Sequence, residues 1–205
     1  MKIYDCFMFF DEEMLLDLRL NIMNEYVDKF VITESVYMHS GKPKKLIFDI
    51  NKFSKFKDKI IYIVVDKAPP DLIEIKKDES IDIKQSKMTI NAKKREMYQI
   101  NKTKDGIVDA ELNDMIIVSD VDEIPNLEKV DFKKISNKLI FFKQKMFYYK
   151  LNLFYKSFSW YGSKACKKKY NDILLFEDVG WHFTNIRKPE DFEEKLLNFL
   201  HHVDF

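Results

Sequence analysis

Apolar and polar positions change rhythm several times along the chain, and each change marks an element. "KIYDCFMFF" is β-branched and aromatic and predicts a strand. "DEEMLLDLRLNIMNEYVDK" follows, with Met14, Leu15, Leu18, Ile22 and Tyr26 at helical spacing. Asp11 is its expected N-cap, and Glu12 and Glu13 suit a first turn. "FVITES" is a short apolar strand ending in polar residues. Strand, helix and strand in that order form a βαβ unit and imply a parallel pair. Gly41 and Pro43 mark "YMHSGKPKKL" as a loop. "KIIYIVVD" is a continuous apolar run, expected to be a strand covered on both faces. "KAPPDLIEIKKDESIDIKQ" is charged, contains proline and is expected at the surface. "KMTINAKKREMYQINKTKDG" predicts a helix with Ile90, Met97 and Ile100 on one side and Gly106 near its end. "DMIIVSD" is a further buried strand.

After Pro125 the texture changes. "KLIFFKQKMFYYKLNLFYKSFSWYGS" is rich in aromatics and alternates, which predicts antiparallel strands or a hairpin beside the sheet. "DILLFEDVGWHF" is strand-like. "KPEDFEEKLLNFLHH" predicts a closing helix, with Pro189 in its first turn, Phe192, Leu196 and Phe199 facing inward, and His201 and His202 at the surface. No internal repeat or low-complexity linker interrupts the order. The expected fold class is α/β: a doubly wound, mostly parallel central sheet flanked by helices, with an antiparallel aromatic-rich region in the C-terminal half.

Composition narrows the function. A chain of 205 residues suits one domain, and 46% apolar with 15% aromatic residues excludes a disordered chain. The 35 basic and 34 acidic side chains cancel, leaving no global field to hold nucleic acid or an anionic membrane. No apolar run approaches the ~20 residues that span a bilayer. The N-terminal "MKIYDCFMFFDEE" meets acids too early for a signal peptide, so a cytoplasmic, reducing setting is expected. Cys6 sits in an apolar run and reads as core; it and Cys166 have no metal-ligand spacing, and a disulfide between them stays open.

The chemistry concentrates in "MIIVSDVDEIP", residues 115–125. A buried strand runs into Asp120, Asp122 and Glu123, and ligands of open α/β sheets bind beyond such strand ends. With an extended backbone, Asp120 and Asp122 point to one side and make a hard-oxygen site suited to Mg²⁺ or Mn²⁺. An EF-hand is excluded, because Pro125 stands where the loop needs its sixth-position glycine. Three readings stay open: an acidic turn before Pro125, a phosphatase of haloacid-dehalogenase type with Asp120 as nucleophile and Asp122 as acid, and a nucleotide-sugar transferase whose Asp-x-Asp holds a metal. The late position of the pair and Glu123 after it depart from the phosphatase pattern.

Several strings in one order are more specific than the pair alone: "DCFMFF…E…LRL", "SGKPKKL", "KREMYQIN", "SDVDEIP" and "GWHF". Over nearly its whole length the sequence resembles glycosyltransferase family 17. The resemblance implies a single GT-A-like domain, residues 1–205, with 1–125 as the nucleotide-sugar half and 126–205 as the acceptor half. It implies a UDP-sugar donor, UDP-GlcNAc foremost, a divalent metal (Mn²⁺ or Mg²⁺), a glycan acceptor and inversion at the anomeric carbon. Animal members carry a membrane anchor that this chain lacks, which points to a bacterial or viral homologue acting on another glycan. A non-catalytic glycan-binding homologue remains an alternative.

Residue roles follow from the resemblance. Asp122 would bind the metal directly; Asp120 would bind it through water or hold the ribose. His182 of "GWHF" would be the third ligand, or else a core histidine between Trp181 and Phe183. Glu34 and Ser35, at the second strand's end, would meet the uridine, or only cap the strand. Lys42 and Lys44 would face phosphate, or only solvent. Arg95 would clamp the diphosphate bidentately, or pair with acids near Glu96 on the surface. An inverting transfer needs a base for the acceptor hydroxyl, and Glu123, Glu177 and Asp178 are the candidates. Glu123 could instead hold the loop. Trp160 and Tyr161 would offer aromatic faces to a sugar, or pack in the core.

Overall fold

The computed structural model describes residues 1–136, 139–148 and 152–167, and the backbone of two further strands at 173–176 and 180–184. The first half alternates as its pattern predicts. Strand β1 (Ile3–Met8) leads into helix α1 (Glu13–Met23), strand β2 (Lys29–Ser35), strand β3 (Ile60–Val65), helix α2 (Ile81–Asn101) and strand β4 (Met115–Val118). The second half holds β5 (Glu123–Pro125), β6 (Leu139–Phe142), β7 (Gln144–Tyr148), β8 (Phe154–Trp160), β9 (Lys164–Cys166), β10 (Ile173–Phe176) and β11 (Gly180–Thr184).

Among the described residues the strands form two sheets. The larger runs β10-β6-β9-β4-β1-β2-β3 and the smaller β5-β11-β7-β8. In the larger sheet β1 pairs in parallel with β2 and β4, and β2 with β3, while β9 enters antiparallel between β4 and β6. The aromatic-rich stretch is shared between the sheets: β6 joins the large one, and after Lys143 alone β7 turns into the small one and pairs antiparallel with β8. The apolar run before "GWHF" divides likewise, β10 pairing with β6 and β11 with β7. The core gathers Phe7, Leu16, Leu20, Phe30, Ile32, Ile117, Ile124 and Phe142 between α1 and the sheets.

Five expectations are corrected. Helix α1 buries Leu15, Leu16, Arg19, Leu20 and Met23, not a stripe through Met14, which is exposed. Leu18, Ile22 and Tyr26 flank the core half-buried; the helix is rotated so that Arg19 reaches inward. Its N-cap position is Glu12, not Asp11. Strand β3 is an edge strand, buried fully only at Val65, because the sheet ends there. Helix α2 starts at Ile81, within the segment expected as surface, because Ser80 caps it by accepting from the Ile83 N–H. It turns Asn91, Ala92 and Gln99 inward and leaves Ile90 and Met97 exposed. Asn91 exchanges two hydrogen bonds with the Ile73 backbone, and Gln99 donates to the Thr33 carbonyl. These anchors, rather than apolar packing, choose the helix face. Both cysteines are free thiols. The expected closing helix, with His201 and His202, lies outside the described residues.

Candidate active site at the strand ends

Parallel strands β1 to β4 all finish at one edge of the sheet. The chain goes outward from β1 through β2 to β3, then returns to place β4 on the other side of β1. The crevice between β1 and β4 is thus the topological switch point, where such sheets bind ligands. The segment after β4 that lines it is Ser119–Asp122.

This segment is not extended. Strand β4 stops at Val118, and the Glu123 N–H donates to the Asp120 carbonyl at 3.0 Å, closing a tight turn. The alternation that would set Asp120 and Asp122 on one side therefore does not apply. The turn closes twice: the Asp120 N–H donates to Glu123 Oε2 at 3.2 Å. Glu123 is 2% exposed, accepts at Oε1 from the Trp160 indole N–H, and receives Ser163 Oγ at 3.4 Å on Oε2. Ser163 Oγ also lies 3.1 Å from Gln144 Oε1. A Cβ on Gly162 would overlap the Glu123 carboxylate and the Trp160 indole, so only glycine fits there. Glu123 thus holds the loop, and its carboxylate is enclosed by protein.

Asp120 differs. Its side chain reaches solvent while protein crowds around it. Its carboxyl is held well above the usual carboxylate range, first by that crowding and then by the charges of Glu123, Asp122, Glu96 and Glu12. Those carboxylates come from the turn, from α2 and from the start of α1. Asp122 is half-buried in the same turn. Among the described residues, no three His, Cys, Asp or Glu side chains converge to hold a metal by themselves. The backbone of His182 pairs with Glu123 across β5 and β11, which brings "GWHF" beside the turn. Glu177 and Asp178 lie outside the described residues.

Behind the turn stands a residue the sequence strings contained but to which no role was given. Arg19 is fully buried. Its Nε and Nη2 bind both oxygens of Asp5 at 2.8 and 2.6 Å, and Nη2 also reaches Ser119 Oγ at 2.6 Å. Its Nη1 donates to the carbonyls of Asp120 at 2.8 Å and Glu123 at 2.7 Å, with Val121 at 3.4 Å. The guanidinium lies 4.4 Å from the Phe7 ring centre. The signal was a single arginine inside an otherwise apolar inward stripe, one helix after a strand aspartate.

A second feature lies at the ends of β2 and β3. Ser35, Tyr37, His39, Lys67, Arg95 and Tyr98 line a cleft. Arg95 donates to the His39 carbonyl at 3.0 Å and packs against Gly41, whose φ of 92° and missing Cβ allow the approach. Burial lowers the Arg95 pKa, and no carboxylate pairs with it among the described residues. Ser35 Oγ accepts from the Tyr37 N–H. Glu96, next to Arg95 on α2, is among the charges that raise Asp120. Glu34 and Lys44 are not in this cleft. Glu34 is fully buried and accepts from Lys44, the Ile47 and Phe48 N–H groups and the Tyr62 hydroxyl. Lys44 is spent on that ion pair, and Lys42 is exposed.

An Asp-x-Asp turn at a switch point suits an enzyme that handles a nucleotide-linked substrate. The sequence model of glycosyltransferase family 17 matches residues 1–204, and the chain belongs to that family. No curated protein sequence matches it. It is thus a glycosyltransferase, using a nucleotide-sugar donor and a glycan acceptor, and the phosphatase reading of Asp120 and Asp122 falls away. Among the described residues no helix is long and apolar enough to cross a membrane.

Proposed function

We propose that this protein is a metal-dependent, inverting transferase of GT-A type that moves N-acetylglucosamine from UDP-GlcNAc to a glycan hydroxyl. The observation that carries the metal is Asp120: an exposed carboxylate crowded by four others, with no cation or donor on its side chain among the described residues. Such a set suits a hard divalent ion, and Mg²⁺ and Mn²⁺ commonly take one or two carboxylates plus phosphate oxygens and water rather than a full protein cage. Asp120 and Asp122 would hold the ion, with His182 as the further candidate ligand. When bound, it would neutralise the diphosphate and stabilise the departing nucleotide.

The chain's own residues supply the rest. Ser35 and Arg95 line the cleft where the nucleotide would lie; Arg95 offers a fork of donors to phosphate, and Lys42 stands exposed in the loop in front of it. Residues 1–125 thus serve the donor and 126–205 the acceptor. Glu123 keeps the turn closed from its enclosed position. The base that takes the acceptor proton is then sought at Glu177 or Asp178. Trp160 brings the acceptor half up to the turn through Glu123, and Tyr161 next to it is exposed.

The test is thermal stability with UDP and UDP-GlcNAc, each with and without Mn²⁺, followed by turnover of the donor. A ligand that binds only the native state raises its melting temperature. A UDP shift that needs Mn²⁺ and vanishes in Asp122→Ala, with the fold intact, supports the proposal. A shift indifferent to Mn²⁺, or unchanged in Asp122→Ala, refutes the metal assignment. Mn²⁺-dependent binding without turnover would make the protein a non-catalytic homologue.

A further inference from the structure

We infer that Arg19 is a positioning residue: it sets the metal affinity of the Asp120–Glu123 turn without touching donor or metal. The inference rests on the metal reading above. A guanidinium has five N–H groups in a rigid fork. Here all are spent, on both oxygens of Asp5, on Ser119 Oγ and on the carbonyls of Asp120 and Glu123. Drawing those carbonyls inward leaves the backbone oxygens unable to face a cation and keeps the Asp120 carboxylate on the solvent side. Asp5 has a separate task. A lone positive charge buried behind a cation site would oppose the cation; the bidentate pair with Asp5 cancels it. The turn thus receives hydrogen-bond donors without net charge. Lysine cannot replace this arrangement, because its three donors radiate from one atom and cannot span Asp5, Ser119 and two carbonyls together.

The test uses Arg19→Lys in the whole chain, with two readouts that need no turnover. One is Mn²⁺ binding to the UDP-loaded protein, followed by electron paramagnetic resonance. The other is UDP binding without metal, by calorimetry. The expected result is metal-free UDP affinity within about twofold of wild type and Mn²⁺ affinity at least ~10-fold weaker, the scale on which groups that orient metal ligands act. Unchanged Mn²⁺ affinity in the folded variant overturns the inference. So does an equal loss in both readouts, which would make Arg19 a fold residue only. If the lysine variant does not fold, Asp5→Leu with Arg19→Met removes both charges together and leaves neither unpaired; the same split is expected and the same outcomes overturn it. Wild-type protein whose UDP affinity ignores Mn²⁺ overturns the metal reading itself, and this inference with it.

Discussion

Lys44→Met separates a structural lysine from a phosphate-binding one. Glu34 is completely buried and its side-chain partner Lys44 is 7% exposed. Removing one partner of a buried ion pair costs ~3–5 kcal/mol, because the other charge is left uncompensated. Here the low end applies. Glu34 would keep the Ile47 N–H at 2.9 Å, the Phe48 N–H at 3.1 Å and the Tyr62 hydroxyl at 2.8 Å. Methionine retains the apolar stem but loses the ammonium near the Phe10 ring, worth ~0.5 kcal/mol. The expected loss is about 3 kcal/mol, a fall in melting temperature of roughly 6–12 °C for a domain this size. Urea unfolding followed by tryptophan fluorescence measures it. Adding Glu34→Gln should cost little more, since the unpaired charge has then gone. A loss below about 1 kcal/mol, with UDP affinity sharply reduced, would refute the internal-pin account and place Lys44 on the donor.

Two further outcomes follow from the turn. Gly162→Ala should destabilise by ~1–3 kcal/mol as an overpacked site and loosen the Glu123–Trp160 contact; equal urea midpoints for variant and wild type would refute the overlap. Asp120 binds its proton more tightly in the folded state than in the unfolded one, so its contribution to metal-free stability is fully present below the ordinary carboxylate range. It falls as pH rises through that range to the raised Asp120 value. Asp120→Asn should remove this slope and raise the metal-free melting temperature at pH 7, while abolishing the Mn²⁺-dependent UDP shift. Superimposable pH–stability curves for the two proteins would contradict it.

The order of elements was legible because β-branched runs and helical spacing are local. What the sequence did not disclose were facts set by distant partners. The face of α1 follows from Arg19 reaching residues about a hundred positions away, at Ser119 to Glu123. The face of α2 follows from Asn91 and Gln99 finding backbone groups at Ile73 and Thr33. Whether β3 lies inside or at the edge depends on pairing order, which an apolar run alone cannot encode. In the site, the place of Asp120 and Asp122 just beyond a strand end was legible from the apolar run before them. The division between Glu34, enclosed, and Ser35, lining the cleft, could not be read, because adjacent strand residues look alike until each face has neighbours.

The five residues Ser119 to Glu123 show why the third carboxylate belongs to the motif. Glu123 is first among the charges that raise Asp120, yet it does not stand exposed beside it as a third ligand. Instead it is buried, and a buried carboxylate must be given donors. It takes them from the Asp120 N–H, Ser163 and Trp160, two of which belong to the acceptor half. The same charge that would burden the site as a ligand thus ties the turn to β8 and to the residues leading into β9. Glu123→Gln can keep an acceptor oxygen for the Asp120 N–H and the Ser163 hydroxyl only by setting its amide N–H₂ against the indole donor, and the reverse orientation sets it against the Asp120 N–H. Turn and aromatic strand should then loosen together, read as faster amide exchange at both Asp120 and the Trp160 indole. Faster exchange at one without the other would mean that Glu123 does not join the two halves.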